Sequence, residues 1–365
     1  MKRVLVLGCT GSIGKQTLDI IRSMKNEFTV AGLTCKSSRS ELESLGREFN
    51  CPVSLYDQDG QEGLEKLINT CNADIAVNGI AGSSGLLPSL LVIRRGMDLA
   101  LANKETVVMA WSLIKKEAEL SKSRILPVDS EHSAIFNLTQ KIGCENIDEL
   151  LITASGGPFR NLTSEELKTV TLEDALKHPT WNMGKKITVD SASLANKGLE
   201  VIEAQRLFNF PTDKIKVIVH PESLVHSLVR TKDGMLYAQI SNPDMRHPIL
   251  GALKWPEYSY NYLEKFNLFD VKMSFYPPRL DDFPMLKYAY QCAEKGKSYT
   301  IAFNAANEVA VDYFIRKKCT FTEISQATSY VLENDFSQEA DSFEMVFDSD
   351  KRARSLAEDF FQKKA

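Results

Sequence analysis

Lys2-Arg3-Val4-Leu5-Val6-Leu7-Gly8-Cys9-Thr10-Gly11-Ser12-Ile13-Gly14 is the stretch whose reading decides the fold. Its first six residues form a short apolar run that reads as a strand, and a helical pattern follows at once from Ile13 through Met24. A glycine-rich turn between a strand and a helix N-terminus brings backbone N–H groups and the helix dipole onto a phosphate, so a dinucleotide is the natural ligand. The spacing is GxxGxxG rather than the commoner GxGxxG, and a merely tight turn is the competing reading.

Working outward, the next strand runs from Phe28 to Thr34 and should end where the ribose is read. A site selective for NAD usually offers a carboxylate there. This chain offers Cys35-Lys36-Ser37-Ser38-Arg39-Ser40, two cations and three hydroxyls with no acid before Glu41, so the reading is NADP(H). Alternation continues through Pro52–Leu55, a helix near Gln61–Thr70, Asp74–Asn78, a Gly-Ser turn over 79–85, a helix Leu86–Arg95 and a strand Met97–Leu101. Strands spaced by helices imply a doubly wound, mostly parallel sheet. Leu101-Ala102-Asn103-Lys104-Glu105 then sets polar groups just after a strand. Lys104 there either polarises a carbonyl or holds an anion, or is a solvated lysine beside an asparagine cap.

Pro127-Val128-Asp129-Ser130-Glu131-His132 repeats that logic after a strand from Arg124 to Val128. Two carboxylates, a hydroxyl and an imidazole within four residues suit a hard divalent cation, which takes oxygen ligands. The alternative is that Asp129 caps a helix from Ser130 through Asn137, with Glu131 in its first turn.

In the second half, a strand Leu150–Thr153 leads into Ala154-Ser155-Gly156-Gly157-Pro158-Phe159, a turn that allows close backbone approach to an anion. His178-Pro179-Thr180-Trp181-Asn182-Met183-Gly184-Lys185-Lys186 reads as a loop, either a lid over substrate or a loop whose Trp181 tucks into the core. Ser191-Ala192-Ser193-Leu194-Ala195-Asn196-Lys197-Gly198-Leu199-Glu200 continues as a helix to about Phe208, with Asn196, Lys197 and Glu200 on one face. Leu-Ala-Asn-Lys occurs here for the second time, weak evidence that both lysines face one anionic ligand. Ile215–His220, Ser223–Arg230 and Met235–Ile240 read as strands, the last two joined by Asp233-Gly234. His226 on them reads as a packed or interface histidine. A Tyr-, Pro- and Phe-rich linker precedes helices at Met285–Lys295, Ala302–Lys317, Thr322–Glu333 and Arg352–Phe361.

The composition excludes several classes. A length of 365 residues suits two or three domains, and 43% hydrophobic with 25% charged residues is ordinary for a soluble protein. A net charge of −4 offers no footprint for nucleic acid or an anionic membrane, and no apolar run is long enough to span a bilayer. Seven scattered cysteines with no CxxC pair suit a reducing compartment. The strand beginning at Lys2 leaves no room for a signal peptide, so the expectation is a cytoplasmic protein.

With GCTGSIG, LANKE, PVDSEH, ASGGPF, HPTWNMG, SASLANKGLE and NPDMR in this order, the chain resembles the 1-deoxy-D-xylulose 5-phosphate reductoisomerase family of the non-mevalonate isoprenoid pathway, across essentially its whole length. The resemblance implies a Rossmann-like NADPH-binding domain over 1–129 and a catalytic and dimerisation domain over 130–254 with a mobile loop 178–186. A linker over 255–283 and a C-terminal helical domain over 284–365 complete it. It implies a homodimer that rearranges and reduces 1-deoxy-D-xylulose 5-phosphate to 2-C-methyl-D-erythritol 4-phosphate. Magnesium or manganese would be held by Asp129, Glu131 and Glu200. The substrate phosphate would fall to Ser155, Ser191, Asn196 and Lys197, and the sugar oxygens to Ser130 and Lys104. His178 would contact substrate at the start of the loop that carries Trp181 and Met183. Thr10, Gly11, Ser12, Ile13, Asn103, Glu105 and Gly184 match NADPH contacts. Lys36 would meet the 2′-phosphate, with Ser37 standing where the family usually has Asn.

Two rival readings make different demands. An NADP-dependent semialdehyde dehydrogenase needs a cysteine nucleophile beside a base, and none of the seven cysteines sits in such a context. A non-catalytic NADP-sensing module has no use for three metal-binding acids.

Overall fold

The computed structural model describes all residues except Asn182, Ser259 and Ala365, so the expected mobile loop contains one residue, Asn182, outside the described set. In chain order the strands are β1 Lys2–Leu7, β2 Phe28–Cys35, β3 Val53–Leu55, β4 Ile75–Asn78, β5 Asp98–Leu101, β6 Ile125–Pro127, β7 Ile147–Ala154, β8 Ile215–Val219, β9 Val225–Thr231 and β10 Leu236–Ile240. The helices are α1 Ser12–Ser23, α2 Arg39–Phe49, α3 Tyr56–Thr70, α4 Leu86–Arg94, α5 Lys104–Ser121, α6 Ser130–Ile142, α7 Leu172–Ala175, α8 Lys185–Ala192, α9 Ala195–Phe208, α10 Arg246–Lys254, α11 Pro284–Lys295, α12 Tyr299–Ile315, α13 Phe321–Leu332 and α14 Phe343–Gln362.

The chain divides into two compact units. The first comprises Met1–Thr106, Trp111–Ser133 and Asp244–Lys265. It holds a parallel six-stranded sheet in the order β3-β2-β1-β4-β5-β6. Val4, Leu5, Val6 and Leu7 of β1 are fully buried, as a strand covered on both faces must be. The order reverses between β1 and β4, and the glycine turn leaves the carboxyl end of β1 at that switch point, where open α/β sheets bind ligands.

Helix α10 belongs to this unit although it lay inside the expected 130–254 segment. Arg246 pairs with Asp19 of α1 at 2.8 Å, Lys254 with Glu27 at 2.5 Å, and Lys2 Nζ donates to the Leu253 carbonyl at 2.6 Å. These partners are more than two hundred residues away in sequence, which no local pattern reports.

The second unit comprises Val107–Ala110, Ala134–Pro243 and Phe266–Ala365. Its sheet has the order β10-β9-β7-β8, with β7 parallel to β8 and antiparallel to β9. The sheet and the C-terminal helices share one core: Leu150, Val229, Leu199, Phe303 and Ala357 belong to a single buried cluster. Each fully buried Leu or Val in it contributes about 1.5–3 kcal/mol. The expected division at residue 283 therefore does not coincide with a break in this core.

Helix α9 is its axis, buried at Ala195 and at every residue from Lys197 to Ala204. The expected helix from Ser191 to Phe208 is two helices, because Leu194 takes a left-handed conformation at φ 59°. Helix α5 is non-helical at Ala110, and the guanidinium of Arg206 on α9 donates to the Val107 and Val108 carbonyls at 2.6 and 2.5 Å. A kink frees carbonyls of the preceding turn, and a half-buried arginine satisfies them.

Candidate active site

The glycine turn of the first unit is built for close approach. A Cβ at Gly14 would lie 2.4 Å from the Gly8 carbonyl oxygen, so only glycine closes the turn. Helix α1 starts at Ser12 with Gly11 at its N-cap and no side-chain cap, so its first amides are open to an anion. Gly11 and Ser12 are exposed, and Thr10 and Ile13 half-buried. Lys36 and Ser37 follow β2 and are exposed, and Ser38 caps α2 without a side-chain hydrogen bond. The Cys35 thiol at the end of β2 closes this corner through a contact to the Ser38 carbonyl at 3.7 Å.

Asn103 caps α5 by accepting from the Thr106 amide at 3.0 Å. Its side-chain amide donates to the Ile80 and Gly82 carbonyls, both at 2.8 Å, and to Glu105 at 2.9 Å. It thereby ties the 79–85 turn to the start of α5, with Glu105 buried beside it. One residue on, Lys104 is 5% exposed, and its ammonium lies 2.6 Å from Asp129 Oδ2 at the carboxyl end of β6. Ser130 donates to the Glu131 carboxylate at 2.5 Å. His132 is fully buried, its Nδ1 3.9 Å from Asp129 Oδ2. Within this unit the structure thus brings together Lys104 and Asp129, and Ser130 with Glu131, on the ends of adjacent strands.

The second unit carries the other group. A Cβ at Gly157 would lie 2.7 Å from the Ser191 carbonyl oxygen, so the Gly156-Gly157 turn rests directly on the end of α8. His178 stands between two hydroxyls, its Nε2 3.0 Å from Ser155 Oγ and 3.1 Å from Ser191 Oγ. Its Nδ1 accepts from the Thr180 and Trp181 amides at 3.2 and 2.9 Å. Two N–H donors at Nδ1 require a lone pair there, so the ring proton is on Nε2, facing the hydroxyls. Burial, with the nearby Arg160 charge, pulls this imidazole down to about 4, so it is neutral near pH 7.

The other polar residues start α9. Asn196 donates to Glu200 Oε1 at 2.5 Å, and the Lys197 ammonium lies 2.5 Å from Glu200 Oε2. Glu200 is fully buried. Trp181 is half-buried, its ring 6.3 Å from that of His226, whose Nε2 is 2.8 Å from Ser241 Oγ. Gly184 caps α8 with open space around its Cα. Two residues escaped the sequence reading. Asp190 is buried and held by Lys186 at 2.8 Å and Asn307 at 2.8 Å. Arg160 follows the Gly-Gly turn, where a cation after a turn read as approaching an anion was a usable signal.

Chemically the first unit offers a glycine turn at a helix N-terminus and hard oxygen donors beside a lysine. The second offers hydroxyls, an amide, a lysine and a neutral imidazole at a helix start, with a buried carboxylate one turn further on.

Three models for 1-deoxy-D-xylulose 5-phosphate reductoisomerase match the chain. One covers residues 4–59 and 53–111, its C-terminal domain model covers 125–208, and a second C-terminal domain model covers 240–356. A 1-deoxy-D-xylulose 5-phosphate reductoisomerase of Treponema denticola is 50% identical, over 98% of this chain and 96% of its own. That of Treponema pallidum is 44% identical, over 98% and 96%. Among solved structures, a DOX-P reductoisomerase in complex with NADPH, fosmidomycin and magnesium superposes with a TM-score of 0.91 at 34% identity, covering 99% of this chain and 98% of that one. The Zymomonas mobilis enzyme in complex with NADPH gives 0.90 at 36% identity, covering 99% of both.

Proposed function

This chain belongs to the 1-deoxy-D-xylulose 5-phosphate reductoisomerase family, and we propose that its two groups of polar residues divide that family's reaction between them. It is an NADPH- and divalent-metal-dependent oxidoreductase that rearranges and reduces 1-deoxy-D-xylulose 5-phosphate to 2-C-methyl-D-erythritol 4-phosphate. Magnesium accompanies a relative of known structure; manganese is an equivalent hard cation for the same oxygen donors.

The observation that carries the residue assignment is Glu200, a fully buried carboxylate. Burying an acid is costly unless cations and hydrogen bonds compensate, and Asn196 and Lys197 on the same helix do so here. Together with Asp129 and Glu131 it supplies three hard oxygen donors, the donor chemistry that magnesium takes. When bound, the ion supplies Lewis acidity at the substrate's oxygen atoms and NADPH supplies the hydride.

The remaining work belongs to the chain's own residues. Lys104, held by Asp129, presents positive charge to the sugar oxygens, and Ser130 donates to them. Ser155, Ser191, Asn196, Lys197 and His178 grip the phosphate, distant binding that orients the reacting carbons. Trp181 on the 178–186 loop excludes water, and Gly184 contacts NADPH. Thr10, Gly11, Ser12 and Ile13 receive the pyrophosphate of NADPH, Lys36 and Ser37 its 2′-phosphate, and Asn103 and Glu105 line the same site. Residues 1–129 would then bind NADPH, 130–254 carry catalysis and dimerisation, 255–283 link, and 284–365 brace the site.

A homodimer is supported by β10, an edge strand whose Leu236, Tyr237 and Ile240 are exposed, as is Met235 just before it, an apolar edge that invites pairing. A cytoplasmic location is supported by seven cysteines that are all free. NADPH oxidation at 340 nm with 1-deoxy-D-xylulose 5-phosphate is expected only after magnesium or manganese is restored to chelated enzyme. It should be abolished in Asp129→Asn and Glu200→Gln variants that still bind NADPH. Full metal-dependent turnover in either variant would overturn the assignment.

A further inference from the structure

The Gly156-Gly157 turn is followed by a cation that the functional reading leaves unused. Arg160 is half-buried, its side chain lying along Gly156 and its Nη1 donating to the Gly157 carbonyl at a long 3.4 Å. Its backbone is pinned, because Arg279 Nη1 donates to the Arg160 carbonyl at 2.8 Å while itself pairing with Asp282 at 2.6 Å. Among the described residues, no carboxylate stands within ion-pair distance of the Arg160 guanidinium. Its charge is nonetheless felt by the His178 imidazole, beside Ser155 and Ser191.

The charges around these hydroxyls are otherwise balanced. Lys197 faces Glu200 at 2.5 Å, Lys186 faces Asp190 at 2.8 Å, and His178 is neutral. A phosphate monoester brings about −1.5 to −2 charges at pH 7, with its second ionisation near 6. A half-buried guanidinium without a carboxylate is stabilised by an anion, and its planar fork matches two phosphate oxygens at once.

We propose that Arg160 is a further substrate-binding residue, whose guanidinium engages the phosphate of 1-deoxy-D-xylulose 5-phosphate and selects the dianion. This rests on the reading of Ser155, His178, Ser191, Asn196 and Lys197 as the phosphate pocket. The side chain gives up only the long contact to Gly157, while the pinned backbone keeps its base in place.

Steady-state kinetics of the holoenzyme test it, with NADPH and magnesium saturating, on wild type, Arg160→Met, Arg160→Lys and Ser155→Ala. Arg160→Met is expected to raise KM by about 30-fold with kcat within about threefold, the size of a lost charge-assisted hydrogen bond. Arg160→Lys, which keeps the charge and loses the fork, should return KM to within about fivefold of wild type. The competitive inhibition constant of inorganic phosphate should rise in parallel with KM. In wild type KM should climb as pH falls through the phosphate's second ionisation near 6, and in Arg160→Met that dependence should flatten. A merely structural arginine would lower kcat and Tm without following charge.

An Arg160→Met enzyme with unchanged KM and phosphate inhibition, beside a Ser155→Ala enzyme with both raised, overturns the role of Arg160 and leaves the pocket standing. Unchanged KM in Ser155→Ala as well removes the pocket itself. Should Arg160→Met fail to fold, Arg160→Gln removes the charge while still able to donate to Gly157, and an unchanged KM there overturns the proposal.

Discussion

Leu-Ala-Asn-Lys occurs twice in this chain, and the two copies do different work. In Leu101–Lys104 the leucine ends strand β5, the asparagine caps α5, and the lysine finds its carboxylate on another strand end, at Asp129. In Leu194–Lys197 the leucine is the left-handed residue that starts α9, the asparagine is already inside the helix, and the lysine finds its carboxylate one turn along, at Glu200. Identical side chains thus become a long-range tie in one unit and a short-range pair in the other. What precedes the tetrapeptide, a strand in one case and a helix in the other, makes the difference.

The largest test of this contrast removes each lysine. Lys104→Met breaks a buried ion pair whose members lie on separate elements, and about 3–5 kcal/mol of stability should go with it. Lys197→Met leaves Glu200 still hydrogen-bonded to Asn196, and a smaller loss of about 2 kcal/mol is expected, within the range for a charged hydrogen bond. Urea unfolding monitored by circular dichroism measures both, and equal losses would break the contrast.

A smaller effect comes from the asparagines. Asn103→Ala removes an N-cap together with bonds to two backbone carbonyls and should cost about 2 kcal/mol. Asn196→Ala removes one contact within a helix, about 0.5 kcal/mol. The same unfolding curves decide it, and a reversed order would count against the capping role of Asn103.

The smallest effect is a pH dependence in the second unit. Burial, with Arg160, holds His178 at about 4, below its ordinary 6.5. The unfolded chain therefore takes up the proton first as pH falls, and the stability linked to the neutral imidazole is complete above 6.5 and lost toward 4. Thermal midpoints between pH 7 and 4.5 should fall more steeply in wild type than in His178→Gln. Parallel slopes would mean that His178 is not the group that responds.

Much of the fold was legible because hydrophobic alternation survives locally: β1 has the expected bounds, and β2, β4 and β8 differ from theirs by one residue. Helix α14 was read only from Arg352, whereas it begins at Phe343 behind a Ser342 cap that accepts from the Met345 amide. Its first turns carry Glu344, Asp348 and exposed Phe347, so they lack the apolar stripe on which the reading depends. The Leu194 break was hidden because a leucine gives no signal of a positive φ. Arg160 was passed over although it follows a turn read as approaching an anion, because its half-burial, which distinguishes it from a solvated arginine, is set by packing.

By itself the sequence determined where most strands and helices lie and that a glycine turn joins β1 to α1, with polar residue types following β5 and β6. Those properties depend on spacing along the chain, on backbone sterics and on side-chain identity, all of which are local. Only the tertiary structure decided who partners whom: Lys104 with Asp129, His178 with Ser155 and Ser191, Arg206 with the carbonyls of α5, α10 with α1. An ion pair or hydrogen bond needs two groups within about 3 Å. Across tens or hundreds of residues only the packed fold sets that distance.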